Sequence, residues 1–221
     1  MGYILVAAMA YFLGSIPTGF LVAKAKGVDI RTVGSRNMGA TNVFRVLGKG
    51  PGIFVLFVDA LKGAAAVAVV FFFYPELCRV WPGAFGTDIP ENHATTRIYL
   101  EITAGIFAVL GHNYTCWLGF KGGKGIATTG GVYLALAPLA VGLAIGTWVI
   151  LVAATRYVSV GSIAAAMVLP VAVWFTTDSL TLKIVTLILS LLAIVKHKEN
   201  IKRLHAGTER RFGEKPPEAP K

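Results

Sequence analysis

The sequence predicts an all-α, polytopic membrane protein of seven transmembrane helices, with its amino terminus outside and its carboxyl terminus in the cytoplasm. Three observations carry that prediction. First, 55% of the 221 residues are apolar and only 14% are charged, with a mean hydropathy of +0.68. Soluble domains carry roughly 25% charged residues, so these apolar side chains must face lipid as well as a core. Second, apolar runs near the length of about 20 residues that a spanning helix needs recur along the chain. Third, the basic residues are unevenly placed between those runs, and basic short loops favour the cytoplasm. The same composition excludes a disordered chain, a collagen and a disulfide scaffold. Cys78 and Cys116 form no Cys-x-x-Cys pair, which argues against a zinc site. No metal and no cofactor is expected.

Tyr3–Ala25 is the first expected helix. It has no basic leader and no small-residue cleavage site, so it reads as retained rather than as a signal peptide. Gly52–Tyr74 and Ile98–Cys116 follow. The apolar run 126–155 is broken by Pro138 and reads as two shorter helices; if it does not cross twice, five or six crossings result. Val160–Phe175 and Leu180–Val195 complete the set. With seven crossings, all of the 21 Lys and Arg except Arg79, Arg97 and Lys183 fall on one side. The odd helix number and the charge bias therefore agree. Residues 1–204 are expected to form a single transmembrane domain, with 75–97 an extracytoplasmic loop in which His93 is solvated. Residues 205–221 have the composition of a disordered cytoplasmic tail.

Polar clusters sit at the expected cytoplasmic helix ends. Gly14-Ser15-Ile16-Pro17-Thr18-Gly19 suits close helix packing. The run Gly34-Ser35-Arg36-Asn37-Met38-Gly39-Ala40-Thr41-Asn42 is different, because it crowds hydrogen-bond donors at a membrane surface with Arg45 close behind. Glycines let successive backbone N–H groups turn toward one point, and an arginine adds a bidentate phosphate partner. Asp59 and Lys62 lie inside an apolar helix on one face and are expected to pair. Gly119-Phe120-Lys121-Gly122-Gly123-Lys124-Gly125 resembles a phosphate cradle at a helix start, although it lacks the P-loop spacing. At the end of the last helix, His197 and Asn200 share a face, with Glu199 beside them. Arg156 to Ser162 adds an arginine and two hydroxyls. Two anion cradles on one membrane side suggest two phosphate groups, and the apolar bundle suggests that one substrate carries a lipid chain.

Taken in order from Tyr11 to Arg203, these runs together resemble the bacterial acyl-phosphate:glycerol-3-phosphate acyltransferase (PlsY) family. The resemblance implies a multi-pass inner-membrane enzyme of phospholipid biosynthesis, monomeric among membrane lipids, with its active site facing the cytoplasm. It implies transfer of an acyl group from acyl phosphate to the sn-1 hydroxyl of glycerol 3-phosphate, giving lysophosphatidate and phosphate. By motif, Gly34, Ser35, Asn37, Gly39, Thr41 and Asn42 would hold the acyl phosphate. Arg45, Lys124, Ser162 (or Ser159 in its place) and His197 would bind glycerol 3-phosphate. Ser35, Arg45, His197 and Asn200 would form the catalytic set, and Asp59, Lys62 and Glu199 would be structural. Three departures stand out. Arg36 occupies a position that is usually small, and the 75–97 loop and the tail are longer than the family usually shows.

An acyl phosphate is already activated, so such an enzyme needs mainly positioning and stabilisation of oxyanion charge. Direct attack by the substrate hydroxyl is expected, with His197 or a substrate phosphate taking the proton. No histidine is followed five positions later by Asp, and no Ser-His-Asp set exists. A transporter of a phosphorylated metabolite is the rival, but it would place its polar site near the membrane midplane between repeats. A CDP-alcohol phosphotransferase would need an Asp-rich metal site. The +10 charge is assigned to topology and phosphate binding, with no nucleic-acid partner.

Overall fold

The computed structural model describes residues 1–85 and 90–214 in backbone, and side chains outside 86–93 and 215–221. Among the described residues every regular element is a helix and there is no strand. The helices are α1 (Gly2–Ser15), α2 (Thr18–Lys24), α3 (Ala40–Leu47), α4 (Lys49–Val80), α5 (Pro82–Phe85) and α6 (Pro90–Asn113). After a 3-10 turn at Cys116–Leu118 come α7 (Ile126–Leu136), α8 (Pro138–Thr155), α9 (Val158–Thr176), α10 (Leu180–Lys196) and α11 (Lys198–His205).

Prolines set several of these boundaries. The first expected helix breaks at Ile16, which takes the extended ψ of 114° that a following proline imposes. Pro138 opens α8, where its missing N–H costs nothing. Pro75 and Pro170 instead lie inside α4 and α9. The expected loop 75–97 is therefore largely helix. α4 runs on past Pro75 to Val80, with Arg79 and Glu76 paired at 2.6 Å one turn apart, and α6 starts at Pro90. The side chain of His93 and the whole of residues 86–89 lie outside the described residues.

Among the described residues four spans are long and apolar enough to cross a membrane: Gly2–Lys24 taken as one, α4, α8 and α9. The bent pair α10–α11, with 53° between its halves, makes a fifth. The expected crossings at Ile98–Cys116 and in the first half of the 126–155 run are not among them. α6 carries Arg97 and Glu101 with His112 at its end, and α7 has only 11 residues, so it reaches about 16 Å against a hydrocarbon core of about 30 Å.

The chain divides into two compact units: Met1–Ile16 with Asp59–Pro138, and Pro17–Val58 with the residues from Leu139. In the first unit α1 packs on α6. A Cβ on Gly14 would run into the Ala108 backbone, and one on Gly111 into the Tyr11 carbonyl, so small residues allow this approach. The break at Pro17 leaves carbonyls without helical partners. Thr115 Oγ1 donates to the Ser15 carbonyl at 2.6 Å and Lys62 Nζ to the Ile16 carbonyl at 2.8 Å. In the second unit α9 packs on α10 around Leu169, Val173, Leu182 and Leu189. Ala23, Ile30 and Val43 bury the base of the segment that follows α2.

Candidate active site

The Gly34–Asn42 loop is built around one side chain. Asn42 is 2% exposed, and its amide nitrogen faces the carbonyls of Asn37 (2.8 Å), Val33 (3.2 Å) and Ile30 (3.3 Å). Its Oδ1 accepts the Ser35 N–H at 2.8 Å. Gly34 has φ +62°, and a Cβ there would collide with that same oxygen, so the loop requires glycine at this position. Arg36 takes φ +59° at the tip, a conformation that costs a non-glycine residue energy. Asn42 was expected to hold phosphate, but both ends of its carboxamide are committed to the loop's own backbone. The loop amides are partly committed too, since the Gly39 N–H donates to Asn37 Oδ1 at 2.8 Å. What remains for a ligand is the side-chain set: among the described residues, the hydroxyls of Ser35 and Thr41 and the Asn37 amide nitrogen make no hydrogen bond.

Thr41 and Arg45 lie four apart on α3, on one face. Arg45 Nη2 donates to the Arg210 carbonyl at 3.0 Å, while its Nε is buried without a partner among the described residues. Burial, reinforced by the nearby Arg210 and Arg203, lowers its pKa, and Glu209 opposes that. A guanidinium stays charged regardless, so Arg45 presents a partly desolvated cation with an unmatched donor, which is what an anionic oxygen satisfies.

Glu209 organises the other side of this cluster. It is 7% exposed and accepts from Asn200 Nδ2 (2.8 Å), Ser159 Oγ (3.0 Å) and Arg203 Nε (2.7 Å). Burial pushes its carboxyl pKa up, but the donors from Asn200, Arg203 and Ser159 outweigh that and hold it below the ordinary value. Glu199, expected to be the structural acid here, is instead exposed and pairs on the surface with Lys202 at 3.4 Å. Exposed pairs of this kind contribute little. Residues 206–214 were read as the start of a disordered tail, yet they turn back and bury Glu209; 215–221 lie outside the described residues.

The two candidate serines are now distinguishable. A carboxylate only accepts, so the Ser159 proton is committed to Glu209. Ser162 Oγ accepts the Trp148 indole N–H at 3.3 Å, which leaves its own proton for an acceptor. His197 caps α10 at the bend, 3% exposed, with Nδ1 2.8 Å from the Ala193 carbonyl. A carbonyl also only accepts, so Nδ1 carries the hydrogen and Nε2 is the accepting nitrogen of the neutral ring. Arg45, Ser159, Ser162, His197 and Asn200 all belong to the second unit, with the Gly34–Asn42 loop.

Lys124 belongs to the first unit. Its loop holds Gly119, Phe120 and Gly125 at positive φ. The Gly122 and Gly123 N–H groups donate to the Asn113 and His112 carbonyls at 3.2 and 3.0 Å, and a Cβ on Gly123 would collide with the His112 imidazole. These glycines serve the folding of the loop as much as any ligand. The expected Asp59–Lys62 pair is present at 2.9 Å, each side chain 3% exposed, with His112 Nδ1 3.6 Å from the same carboxylate oxygen. His112 went unrecognised in the sequence as a third member of that buried cluster; its signal was the Gly-His-Asn at the foot of an apolar run.

Comparison with known proteins bears on all of this. The glycerol-3-phosphate acyltransferase family model matches residues 4–207. A glycerol-3-phosphate acyltransferase of Geobacter sulfurreducens is 45% identical over 209 residues, covering 95% of this chain and 97% of the relative. One from Geobacter metallireducens is 50% identical with the same coverage. Among solved structures, the glycerol 3-phosphate form of PlsY (YgiH), an integral membrane glycerol 3-phosphate acyltransferase, matches with a TM-score of 0.81 and 36% identity over 96% of both chains. Its lysophosphatidic acid form matches with a TM-score of 0.78 and 35% identity.

Proposed function

The chain belongs to the glycerol-3-phosphate acyltransferase family and is an acyltransferase of the integral-membrane PlsY kind, and from that membership we propose that it acylates glycerol 3-phosphate with acyl phosphate as the donor. The glycerol 3-phosphate hydroxyl attacks the acyl carbonyl carbon. A new ester C–O bond forms, the bond from carbonyl carbon to phosphate oxygen breaks, and inorganic phosphate leaves. The hydroxyl proton passes to His197 Nε2 or to a phosphate oxygen, without an acyl-enzyme. Ser35, Asn37 and Thr41 hold the acyl-phosphate phosphate on the loop that Gly34, Gly39 and Asn42 shape. Arg45 and Ser162 bind glycerol 3-phosphate beside His197, and Asn200 orients the reacting groups. Lys124 and its glycine loop are an anion-binding element of the first unit.

The observation that carries this reading is a set of uncommitted donors and a partly desolvated cation on one stretch of chain: the Ser35 and Thr41 hydroxyls and the Asn37 amide, with the Arg45 Nε buried and unmatched among the described residues. A midplane transport site between repeats would not gather its donors on a short surface helix and a turn. The enzyme lies in the bacterial inner membrane as a monomer among lipids, in seven crossings, with its amino terminus outside and its active site facing the cytoplasm. α6 and α7 then complete the set, their polar ends and short length made tolerable by protein neighbours.

The test uses purified protein with acyl phosphate and glycerol 3-phosphate, followed by phosphate release and lysophosphatidate formation. One phosphate per lysophosphatidate is expected, and acyl-CoA in place of acyl phosphate is expected to give no product. Product from acyl-CoA alone would overturn the donor assignment, and acyl-Ser35 trapped on the chain would overturn direct attack.

A further inference from the structure

Residues 209–214 form a strap that crosses the expected binding elements of the second unit. Arg45 Nη2 donates to the Arg210 carbonyl at 3.0 Å. The Phe212 N–H donates to the Arg156 carbonyl at 2.6 Å, and Arg156 Nη2 donates back to the Phe212 carbonyl at 3.0 Å. The Phe212 ring packs against Phe44, the residue before Arg45, with centroids 4.7 Å apart. Arg211 reaches the Tyr157 hydroxyl at 3.3 Å and lies over its ring at 5.5 Å. Arg156 takes φ +63°, a strained state that persists when its surroundings hold it. The strap thus joins α3, which carries Arg45, to the residues that open α9, where Ser162 lies.

We propose that this strap is a positioning element for glycerol 3-phosphate binding, with Phe212 as its anchor: the ring on Phe44 and the paired backbone with Arg156 hold the Arg210 carbonyl where it orients the Arg45 guanidinium. The proposal rests on the reading of Arg45 as a substrate-phosphate ligand. One Nη2 hydrogen goes to the carbonyl, and this fixes the plane of the fork and aims the remaining N–H groups. A guanidinium tethered in this way loses less rotamer freedom on binding a phosphate than a free one. Without the anchor Arg45 keeps its charge but not its aim, so affinity for the phosphate falls while the chemical step, once substrate is seated, does not.

The experiment compares wild type, Phe212→Ala and Phe212→Leu, assayed with acyl phosphate and glycerol 3-phosphate and melted with and without glycerol 3-phosphate. Phe212→Ala is expected to raise KM for glycerol 3-phosphate about tenfold, the scale of one charge-assisted hydrogen bond, with kcat within about twofold. The thermal shift produced by glycerol 3-phosphate should shrink in parallel, KM for acyl phosphate should not move, and Phe212→Leu should recover most of the loss. An unchanged KM in a folded Phe212→Ala protein overturns the proposal and leaves the enzyme reading intact. So does a fall in kcat that simply follows the folded fraction, with KM constant. If Phe212→Ala does not fold, Phe44→Ala removes the same contact from the other side and must show the same KM rise. A wild type that neither turns over nor is stabilised by glycerol 3-phosphate ends the enzyme reading and the proposal together.

Discussion

Asn42 and Ser35 stand in one loop and do opposite work. Asn42 closes the loop on itself through its buried carboxamide, whereas the Ser35 hydroxyl bonds nothing among the described residues. Asn42→Ala leaves buried carbonyls and the Ser35 N–H unsatisfied. It should cost about 1–3 kcal/mol, the penalty of an orphaned buried polar group, and so lower the melting temperature together with activity. Ser35→Ala should melt with the wild type yet lose about tenfold or more in kcat/KM, as for one lost hydrogen bond to a phosphate. Melting both variants beside the activity assay separates the roles, and a Ser35→Ala protein that loses stability but not specific activity would reverse them. The sequence made the loop conspicuous, because its donor-rich composition is local. It could not say which donors face inward, because that depends on where the chain folds back. Glu209 shows the same limit more sharply. Beside Arg210 and Arg211 and close to Pro216 and Pro217 it has the composition of a solvated tail, and its burial depends on Ser159, Asn200 and Arg203 meeting it from 50, nine and six residues away. The acid that composition favoured, Glu199, sits in the same motif as His197 and Asn200 but on the outer face of α11.

At the scale of elements, prolines and apolar runs were legible and the exact ends of helices were not. Pro138 divided its run as its fixed φ and missing donor require. Pro17 was read through, because a spanning helix tolerates a break whose freed carbonyls find partners, and Thr115 and Lys62 supply them here. The glycines of α7 give an element-level prediction. Gly130 and Gly131 are neighbours in sequence and alike in composition, but a Cβ on Gly130 meets nothing within 4 Å, whereas one on Gly131 runs into the Ala60 backbone of α4. Gly130→Ala should be neutral or stabilise by up to about 1 kcal/mol, because alanine is the better helix former. Gly131→Ala should destabilise by about 1–3 kcal/mol, because backbone on both sides cannot yield as a side chain would. Thermal unfolding of the two variants in detergent checks this, and equal melting temperatures would show that α4 and α7 do not approach so closely.

At the scale of the whole molecule, the excess of 21 basic over 11 acidic residues has two uses that composition alone merges. In the proposed topology most of the basic residues fall on the cytoplasmic side. A few, Arg45 and Arg203 foremost, are drawn into a buried network with Glu209, where the chain's few acids set which cations remain unmatched. The proposed seven-crossing topology turns on α6, the helix whose Arg97, Glu101 and His112 make it the least apolar of the long ones. Two native cysteines bracket it. Cys78 lies near the end of α4 and Cys116 just after α6, both free and half-buried. If α6 crosses, the two thiols lie on opposite sides of the membrane, with Cys78 outside. In intact cells a membrane-impermeant maleimide should then label the Cys116→Ser protein, through Cys78, and spare the Cys78→Ser protein until the membrane is opened. Labelling of both from outside, or of neither until the membrane is opened, would place Cys78 and Cys116 on one side. α6 would then be a helix that enters and returns or lies along the surface, and the amino and carboxyl termini would no longer be assigned to opposite faces by an odd number of crossings. A thiol too buried to react would stay unlabelled in opened membranes as well, so the opened sample separates poor access from wrong side. For Cys78, Glu76→Cys in a chain lacking both native cysteines supplies an exposed reporter two residues away on the same end of α4.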